Sequence, residues 1–254
     1  MKRSTLLIIL LSYIAIQASA QVYKSTEPFA HTFSIVARDV KTGEMAVGVQ
    51  SHWFAVGTSV CWGKSGVGVV ATQSFVNPAF GPNGLDLMEK GVSAEDALIQ
   101  MINKDDGRDF RQLALLDAKG SVSSYTGAKC VQSAHHIIGD DFAVQANMML
   151  NDKVVPAMEK AYNNNLHLPL AERVVEVMKA AQAAGGDIRG RQSAALLVVN
   201  AEKGPEWSDK KIDLRVDDHS IPLVELSRLL NIHRAYDHMN KGDLAVENND
   251  MNLA

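Results

Sequence analysis

The chain has 254 residues, a formal net charge of −4 and a hydrophobic fraction of 46%. That fraction is sufficient for a substantial core, and the length suits one domain of about 200 residues with terminal extensions. The mildly negative charge and the lack of a basic stripe in the sequence exclude nucleic acid as the expected partner.

The first 20 residues have the three parts of a secretory signal peptide. A positive start precedes an apolar run over residues 6–16, and Ala18 and Ala20 supply the small residues of a cleavage site. We therefore predict a signal peptide over residues 1–20 and a periplasmic or secreted mature protein. The apolar run is too short to span a bilayer, so no membrane association is expected after cleavage.

Residues 21–31 are polar and irregular, and we predict them as a short leader. The main domain is expected over residues 32–238. A flexible tail is expected over residues 239–254, because that segment is polar and rich in Asn.

The predicted elements of the domain follow from alternation, helical periodicity and turn residues. Strands are expected over residues 32–39, 44–50, 60–64, 67–74, 111–117, 121–126, 142–148, 193–200 and 211–216. Helices are expected over residues 85–90, 93–103, 152–162, 170–184 and 222–238. The first two strands form a hairpin whose turn contains Gly43, and a dense cluster of turn residues over 77–84 precedes the first helix.

The order of these elements indicates the fold class. Blocks of strands alternate with pairs of helices, which favours two sheets between helix layers over a βαβ alternation. The run GVGVVATQS over residues 66–74 is small or apolar on both faces, as is typical of a strand covered on both sides. We expect an α+β fold.

Two cysteines, Cys61 and Cys130, leave two interpretations open. In an oxidising compartment they can form a disulfide. They can equally be isolated thiols that are buried as small hydrophobic side chains.

Thr32 heads the first predicted strand and is the sharpest catalytic candidate. A threonine hydroxyl is a poor nucleophile unless a base takes its proton. If Thr32 were the first residue of the mature chain, its α-amine, with an ordinary pKa of about 8, could be that base. The alternative is an ordinary strand threonine, because β-branched residues favour strands.

Four long runs of the sequence resemble a known family. They read HTFSIVARDVKTGEMAVGV, GVGVVATQSFVNPAFGPNGLDLM, GGDIRGRQSAALLVV and DLRVDDHSIPLVELSRLL. On these runs the chain resembles DUF1028, a family of unknown function, from Thr32 to about Tyr236. That family is regarded as similar to the N-terminal-nucleophile (Ntn) hydrolases. The resemblance implies a four-layer αββα sandwich of the Ntn-hydrolase type, with Thr32 as the nucleophile.

The chain departs from the family pattern in two places. Family members without a signal begin Met-Thr-Phe-Ser, whereas signal cleavage here leaves residues 21–31 in front of Thr32, so a second cut is required. The family also usually has Gln-Gly-Asn where this chain has Gln145, Ala146 and Asn147. Some relatives have a module thought to bind peptidoglycan, which suggests cell-wall or peptide chemistry.

Three further residues are assigned to the catalytic set. Gln73 and Asn77 follow a buried strand and can donate hydrogen bonds to an oxyanion; the alternative for Asn77 is turn chemistry. Asp39 ends the first strand and Ser51 ends the second. If these two strand ends lie side by side in the hairpin, Asp39 can orient a base or amine. The alternative for Asp39 is a structural ion pair.

A basic loop at residues 189–193 is the predicted substrate-binding segment. Arg189 and Arg191 can hold a substrate carboxylate, and Gln192 and Ser193 can orient the nucleophile. A solvated loop with salt bridges is the alternative.

Metal binding has weak support in the sequence. His135 and His136, and the run Asp217 to His219, contain suitable ligand types, but no helical His motif frames them. We expect no metal and no cofactor, and a metal-assisted hydrolase remains only a third alternative.

We therefore predict an exported Ntn amidohydrolase that cleaves an amide or peptide bond in a small-molecule or peptide substrate, in cell-wall or peptide metabolism. The alternative is a non-catalytic exported binding protein on the same fold that recognises an anionic wall fragment or peptide. Homo-oligomerisation is left open, since related folds often assemble.

Overall fold

The computed structural model describes residues 32–248. The predicted signal peptide, the predicted leader and the last residues of the predicted tail lie outside the described residues. The strands are β1 (Thr32–Arg38), β2 (Met45–Ser51), β3 (Cys61–Lys64), β4 (Gly68–Ser74), β5 (Arg111–Asp117), β6 (Val122–Thr126), β7 (His135–Gly139), β8 (Phe142–Asn147), β9 (Ser193–Val199) and β10 (Lys210–Val216). The helices are α1 (Gly57–Val60), α2 (Phe80–Glu89), α3 (Ala94–Ile102), α4 (Val154–Asn164), α5 (Leu170–Ala183) and α6 (Pro222–Glu247).

The strands form two antiparallel sheets. The first sheet has the order β10-β9-β2-β1-β8-β7, and the second has the order β3-β4-β5-β6. Strand β1 is central in the first sheet, where Thr32 lies opposite Ser51 of β2 and opposite Asn147 of β8. The expected mixed α/β fold with two sheets is confirmed for residues 32–248.

Alternation along β1 places its residues in two different cores. Phe33 and Ile35 point to one face and pack with apolar residues of α4, α5 and α6. Val36 points to the other face and packs with Val69 and Leu116 of the second sheet. A third cluster joins the outer face of the second sheet to α2 and α3. Thr32 has the same parity as Val36, so its side chain lies on the side that faces the second sheet.

Two elements were not predicted, and a third begins early. Helix α1 precedes β3, and β7 pairs with β8 as an edge strand. Helix α2 begins at Phe80, within the predicted turn cluster, although Pro82 lies in its first turn. Proline is tolerated there because the first backbone N–H groups of a helix have no intrahelical partner.

Helix α6 continues to Glu247, beyond its predicted end at His238 and into the predicted flexible tail. The predicted helix end is wrong, whereas the flexibility of the tail stays a prediction. The predicted end relied on the polar, Asn-rich composition of the following residues, but a helix can extend with few apolar contacts when its residues are adequate helix formers. Ala245 supplies one such contact, because it is buried.

Both cysteines are free thiols. Cys61 lies in β3 and Cys130 lies in the loop after β6. Burial raises the pKa of both thiols, so their reactive thiolate forms are suppressed.

None of the helices between residues 32 and 248 combines the length and the apolar character needed to cross a bilayer.

A buried ion pair joins the end of β1 to α5. The guanidinium of Arg173 donates to the Asp39 carboxylate at 2.8 Å, and their side chains are only 5% and 11% exposed. Burial by itself would raise the pKa of Asp39. Hydrogen bonds from the backbone of Thr42 and Lys41 and from Arg173 outweigh burial, so that this pKa lies below its ordinary value.

We expect Arg173→Met to lower the free energy of unfolding by about 3–5 kcal/mol, because it leaves the Asp39 carboxylate buried and unpaired. Lys179→Met is the control on the same helix. It removes an exposed pair with Glu176 and should cost about 0–1 kcal/mol. Urea titration at pH 7 measures both values, and equal losses would contradict the assignment.

The same ion pair predicts a pH dependence. The pKa of Asp39 is lower in the folded chain than in the unfolded chain, so its stabilising contribution is present above the unfolded value of about 4. The contribution is lost as the pH falls through the folded value. The stability difference between wild type and Arg173→Met should therefore shrink in urea titrations performed at progressively lower pH below 4.

Candidate functional site

A cavity of about 270 Å³ opens where the start of β1 meets the ends of β2 and β4. Its wall is mainly apolar, with several hydroxyl groups and one charged side chain. The lining residues are Thr32, Ser51, Trp53, Val56, Ser59, Val60, Gln73, Ser74, Phe75, Val76 and Arg111.

The Thr32 hydroxyl lies in the wall of this cavity. Thr32 is 5% exposed, and its Oγ1 donates to Oγ of Ser51 at 3.2 Å. This contact follows from the hairpin register, because Thr32 and Ser51 are direct partners on neighbouring strands. The Thr32 hydroxyl is therefore oriented at the cavity wall, which is one of the conditions for a nucleophile; a base within hydrogen-bond reach is the other.

Buried amide side chains fix the backbone of Thr32. Nε2 of Gln73 and Nδ2 of Asn147 donate to the Thr32 carbonyl oxygen at 3.2 and 3.4 Å. The same two nitrogens also donate to Oε1 of Gln112, at 2.6 and 2.9 Å. Gln112 in turn donates to the backbone carbonyl of Ala146 at 2.9 Å. The nucleophile candidate is therefore held from both sheets.

Two acceptors of this amide network have no hydrogen-bond partner among residues 32–248. They are Oε1 of Gln73 and Oδ1 of Asn147, and both atoms are buried. An unpaired buried acceptor is costly, so such atoms call for an explanation, and a donor near Thr32 would supply one.

The charge of Arg111 is already neutralised. Its guanidinium donates to the Asp105 carboxylate, with Nε at 2.7 Å, and to the carbonyl of Phe75 at 2.6 Å. The hydrogen bond from Arg111 holds the pKa of Asp105 below its ordinary value. The rest of the wall contains apolar groups and hydroxyls, so the cavity favours an uncharged, apolar group.

The backbone is strained on two sides of the cavity. Ala55 and Ser74 have φ values of 51° and 69°, a region that residues other than glycine seldom adopt. Ser193 holds the first segment, because its Oγ donates to the carbonyl of Trp53 and accepts from the backbone N–H of Val56 at 3.1 Å. Strain of this kind concentrates at functional sites.

The structure brings together only part of the predicted site. Thr32 and Gln73 line one cavity, and Ser193 supports its wall from behind. Asn77 does not line it. The Asn77 side chain accepts from the backbone N–H of Ala79 at 3.2 Å at the start of α2, and Asn77 lines a different cavity. The structure therefore does not place Asn77 in the wall beside Thr32, and the contact with Ala79 fits the turn chemistry that was its alternative.

Asp39 lies at the opposite end of β1 from Thr32. The hairpin register pairs Arg38 with Met45 and pairs Ser51 with Thr32, so the expected meeting of Asp39 with Ser51 is wrong. A strand of seven residues separates Asp39 from the cavity by roughly 20 Å. The carboxylate serves the buried ion pair with Arg173 instead.

The basic loop also lies elsewhere. Arg189 and Arg191 line a separate cavity of about 670 Å³, and Thr32 is not among its lining residues. Gln192 donates to the Asp218 carboxylate at 3.2 Å in an exposed position. The expectation that this loop clamps a substrate beside Thr32 is therefore not met.

The weak metal candidates do not converge. The rings of His135 and His136, both in the edge strand β7, stack on each other. Burial, and to a lesser extent the charge of His135, lowers the pKa of His136. Within residues 32–248 no group of three or more His, Cys, Asp or Glu side chains is arranged to hold a metal ion.

Sequence reasoning missed most residues of the cavity wall and the amide network, among them Ser51, Arg111, Gln112 and Asn147. A signal for Ser51 was present, because a turn at residues 41–43 places it opposite Thr32. The other three come from strands that lie far away in the sequence, and only the sheet pairing brings them to Thr32.

A family model and one solved structure give the same family for this chain. The family model of DUF1028, a family of unknown function, matches residues 32–226. A solved structure of a DUF1028 protein from Silicibacter pomeroyi is 28% identical, covers 79% of this chain and 85% of its own, and has a TM-score of 0.72. Anbu, an ancestral β-subunit from Yersinia bercovieri, is 10% identical with a TM-score of 0.34, over 84% of this chain and 96% of its own. No curated protein matches the chain.

We expect Gln112→Leu to lower the free energy of unfolding by about 3 kcal/mol, because it leaves the amides of Gln73 and Asn147 without their shared acceptor. Gln100→Leu, at an exposed position of α3, is the matched control and should change stability by less than about 0.5 kcal/mol. Chemical denaturation of the two variants measures the difference. Similar values for both would mean that the amide network does not hold the site.

Proposed function

The chain belongs to the DUF1028 family, and we propose that it is an exported N-terminal-nucleophile hydrolase that cleaves an amide or peptide bond with Thr32 as its nucleophile. One observation carries this proposal. The Thr32 hydroxyl lies in a cavity wall at the start of a central strand, and buried side-chain amides from both sheets donate hydrogen bonds to the carbonyl of the same residue.

The proposed reaction uses one residue as nucleophile and base. The α-amine of Thr32 takes the proton from Oγ1 as that oxygen attacks the substrate carbonyl carbon. The bond to the leaving nitrogen breaks, and the ammonium returns the proton to this nitrogen. Water then hydrolyses the ester on Oγ1, which releases the acid and restores the hydroxyl.

The polar groups available to the developing oxyanion differ from those expected. Both N–H groups of the Gln73 amide are committed, to the Thr32 carbonyl and to Gln112, so Gln73 is a positioning residue. The hydroxyls in the lining belong to Ser51, Ser59 and Ser74, and these are the proposed donors.

The proposal requires a cut between residues 31 and 32. While residue 31 is attached, the nitrogen of Thr32 is an amide and cannot accept a proton. Signal cleavage after Ala20 leaves the leader, so removal needs either attack by Oγ1 on the preceding carbonyl or a second protease. The side-chain oxygens of Gln73 and Asn147 are acceptors without a donor among the described residues, and the α-amine that the cut would create at Thr32 could donate to them, which supports the proposal.

A four-layer αββα sandwich of the Ntn type is part of the proposal. Supporting it, one apolar cluster lies between the two sheets, and two others join their outer faces to helices. Export to the periplasm or medium rests on the signal-like residues 1–20.

The cavity suggests the substrate. Trp53, Val56, Val60, Phe75 and Val76 form an apolar wall, so we propose an amide or peptide that carries an uncharged, apolar group beside the scissile bond. Cell-wall or peptide metabolism is the proposed setting.

A non-catalytic exported binding protein is the second candidate. The observation that favours it is the cationic cavity at Arg189 and Arg191, which is separate from Thr32. In that case Thr32 would be a structural residue and would not react with acyl donors.

Covalent labelling tests the nucleophile without a known substrate. We expect protein purified from its native compartment to begin at Thr32 by intact mass. An apolar β-lactone, a strained acyl donor, should then add one acyl group to the N-terminal peptide. Thr32→Ser should retain labelling, and Thr32→Ala should reduce it at least about a thousand-fold, because the attacking hydroxyl is absent.

Ser34→Ala is the matched control, because Ser34 is a buried hydroxyl on the same face of β1. It should label like the wild type. Protein that begins uniformly at residue 21 and still labels at Thr32 would rule out an amine-assisted mechanism. Protein that begins at Thr32 and does not label would favour the binding-protein candidate.

A further inference from the structure

A second cavity, of about 670 Å³, lies between the first sheet, α5 and α6. It is the larger of the two cavities described, and it has three cationic side chains in its wall. The lining residues are Gln50, Leu150, Lys179, Gln182, Ala183, Gly185, Asp187, Ile188, Arg189, Gly190, Arg191, Ile221, Leu223 and Val224.

The two cavities lie on opposite faces of the same strand. Ser51 points to the second sheet, where it meets Thr32, whereas the preceding residue, Gln50, points to the helices and donates to Gln182 of α5 at 2.6 Å. Successive side chains of a strand point to opposite faces. The backbone of β2 therefore separates this cavity from Thr32.

The loop after α5 holds Arg189 at this cavity. The Asp187 carboxylate accepts from the backbone N–H of His52 at 2.9 Å and from that of Arg189 at 2.8 Å. Its distance to the Arg189 guanidinium is 3.6 Å, which is too long for a hydrogen bond. Nε and Nη2 of Arg189 are buried and have no hydrogen-bond partner among the described residues. Buried donors of this kind are stabilised by an acceptor, and a charged acceptor does so best.

A second arginine adds to this positive charge. Arg191 is exposed at the cavity, and between residues 32 and 248 no carboxylate forms a salt bridge with it. Lys179 differs, because it is paired with Glu176 at 2.8 Å. Arg191 therefore provides the unpaired charge, and Arg189, whose charge is shared with Asp187 at 3.6 Å, provides N–H donors that have no hydrogen-bond partner among the described residues.

A buried amide provides the third feature. Gln50 is 0% exposed, and while its nitrogen donates to Gln182, its Oε1 has no partner in the described part of the chain. A ligand that fits this wall therefore needs an anionic oxygen for the arginines and a hydrogen-bond donor for Gln50.

We propose that this cavity is a binding site for a small oxyanion ligand, a carboxylate or phosphate compound that also has a hydroxyl or amino donor. Arg189 and Arg191 bind the anionic group, and Gln50 accepts from the donor. The site is independent of the hydrolysis proposed at Thr32, so either can be correct without the other.

Isothermal titration calorimetry of the full protein tests the site with three probes. Inorganic phosphate and glycerate each combine an oxyanion with a hydroxyl, and neutral glycerol is their control. We expect saturable 1:1 binding of phosphate, glycerate or both, and none of glycerol. Binding of only one of the two anions would support the site and identify the preferred group.

Two exposed substitutions test the location without disturbing the core. Arg191→Gln removes a cation, and Ala183→Glu adds a carboxylate to the wall; each should weaken binding at least tenfold. Lys41→Gln, in the turn at the other end of the sheet, and Thr32→Ala should leave the affinity unchanged. The proposal is overturned if neither anion binds, if Arg191→Gln and Ala183→Glu bind normally, or if Thr32→Ala abolishes binding.

Discussion

The amide network around the Thr32 carbonyl is the constraint on which the rest of the site depends. Gln112 of β5 accepts from Gln73 in its own sheet and from Asn147 in the other sheet. Gln73 and Asn147 also donate to the Thr32 carbonyl. Gln145 makes further hydrogen bonds between the sheets, to Ala71 and Ser124. Much of the remaining contact between the sheets is apolar and has little directional preference. Directional hydrogen bonds at this end restrict the relative position of the sheets, and the two acceptors of the network that lack partners among residues 32–248 lie at the same place.

Contacts within the β1–β2 hairpin could be predicted from the sequence, whereas contacts between strands that are distant in the sequence could not. Alternation in TFSIVAR predicts which residues of β1 share a face, and the turn at Gly43 predicts that Thr32 lies opposite Ser51. The error over Asp39 came from neglecting that register, since strand ends that flank a turn cannot meet the far end of the hairpin. Asn147 and Gln112 reach Thr32 through pairings that no local pattern specifies.

The basic loop illustrates another limit. Residues within a strand have a parity that assigns them to a face, and Ser193 follows this rule by supporting the wall beside Thr32. Arg189 and Arg191 precede the strand in a loop, where no such periodicity exists. Their side of the sheet depends on how Asp187 anchors the loop to His52, which only the tertiary structure reveals.

The separation of charge from the Thr32 cavity matters for the proposed chemistry. An amine must be neutral to accept a proton, and burial in an apolar wall disfavours the charged form of an amine. A carboxylate beside the amine would have the opposite effect, because it would stabilise the ammonium. Asp39 lies at the far end of β1 and is paired with Arg173, and Arg111 is paired with Asp105, so neither the expected Asp39 carboxylate nor an unpaired Arg111 guanidinium lies beside the nucleophile. The features that contradict the expected acidic partner and arginine clamp are therefore compatible with an amine-assisted threonine.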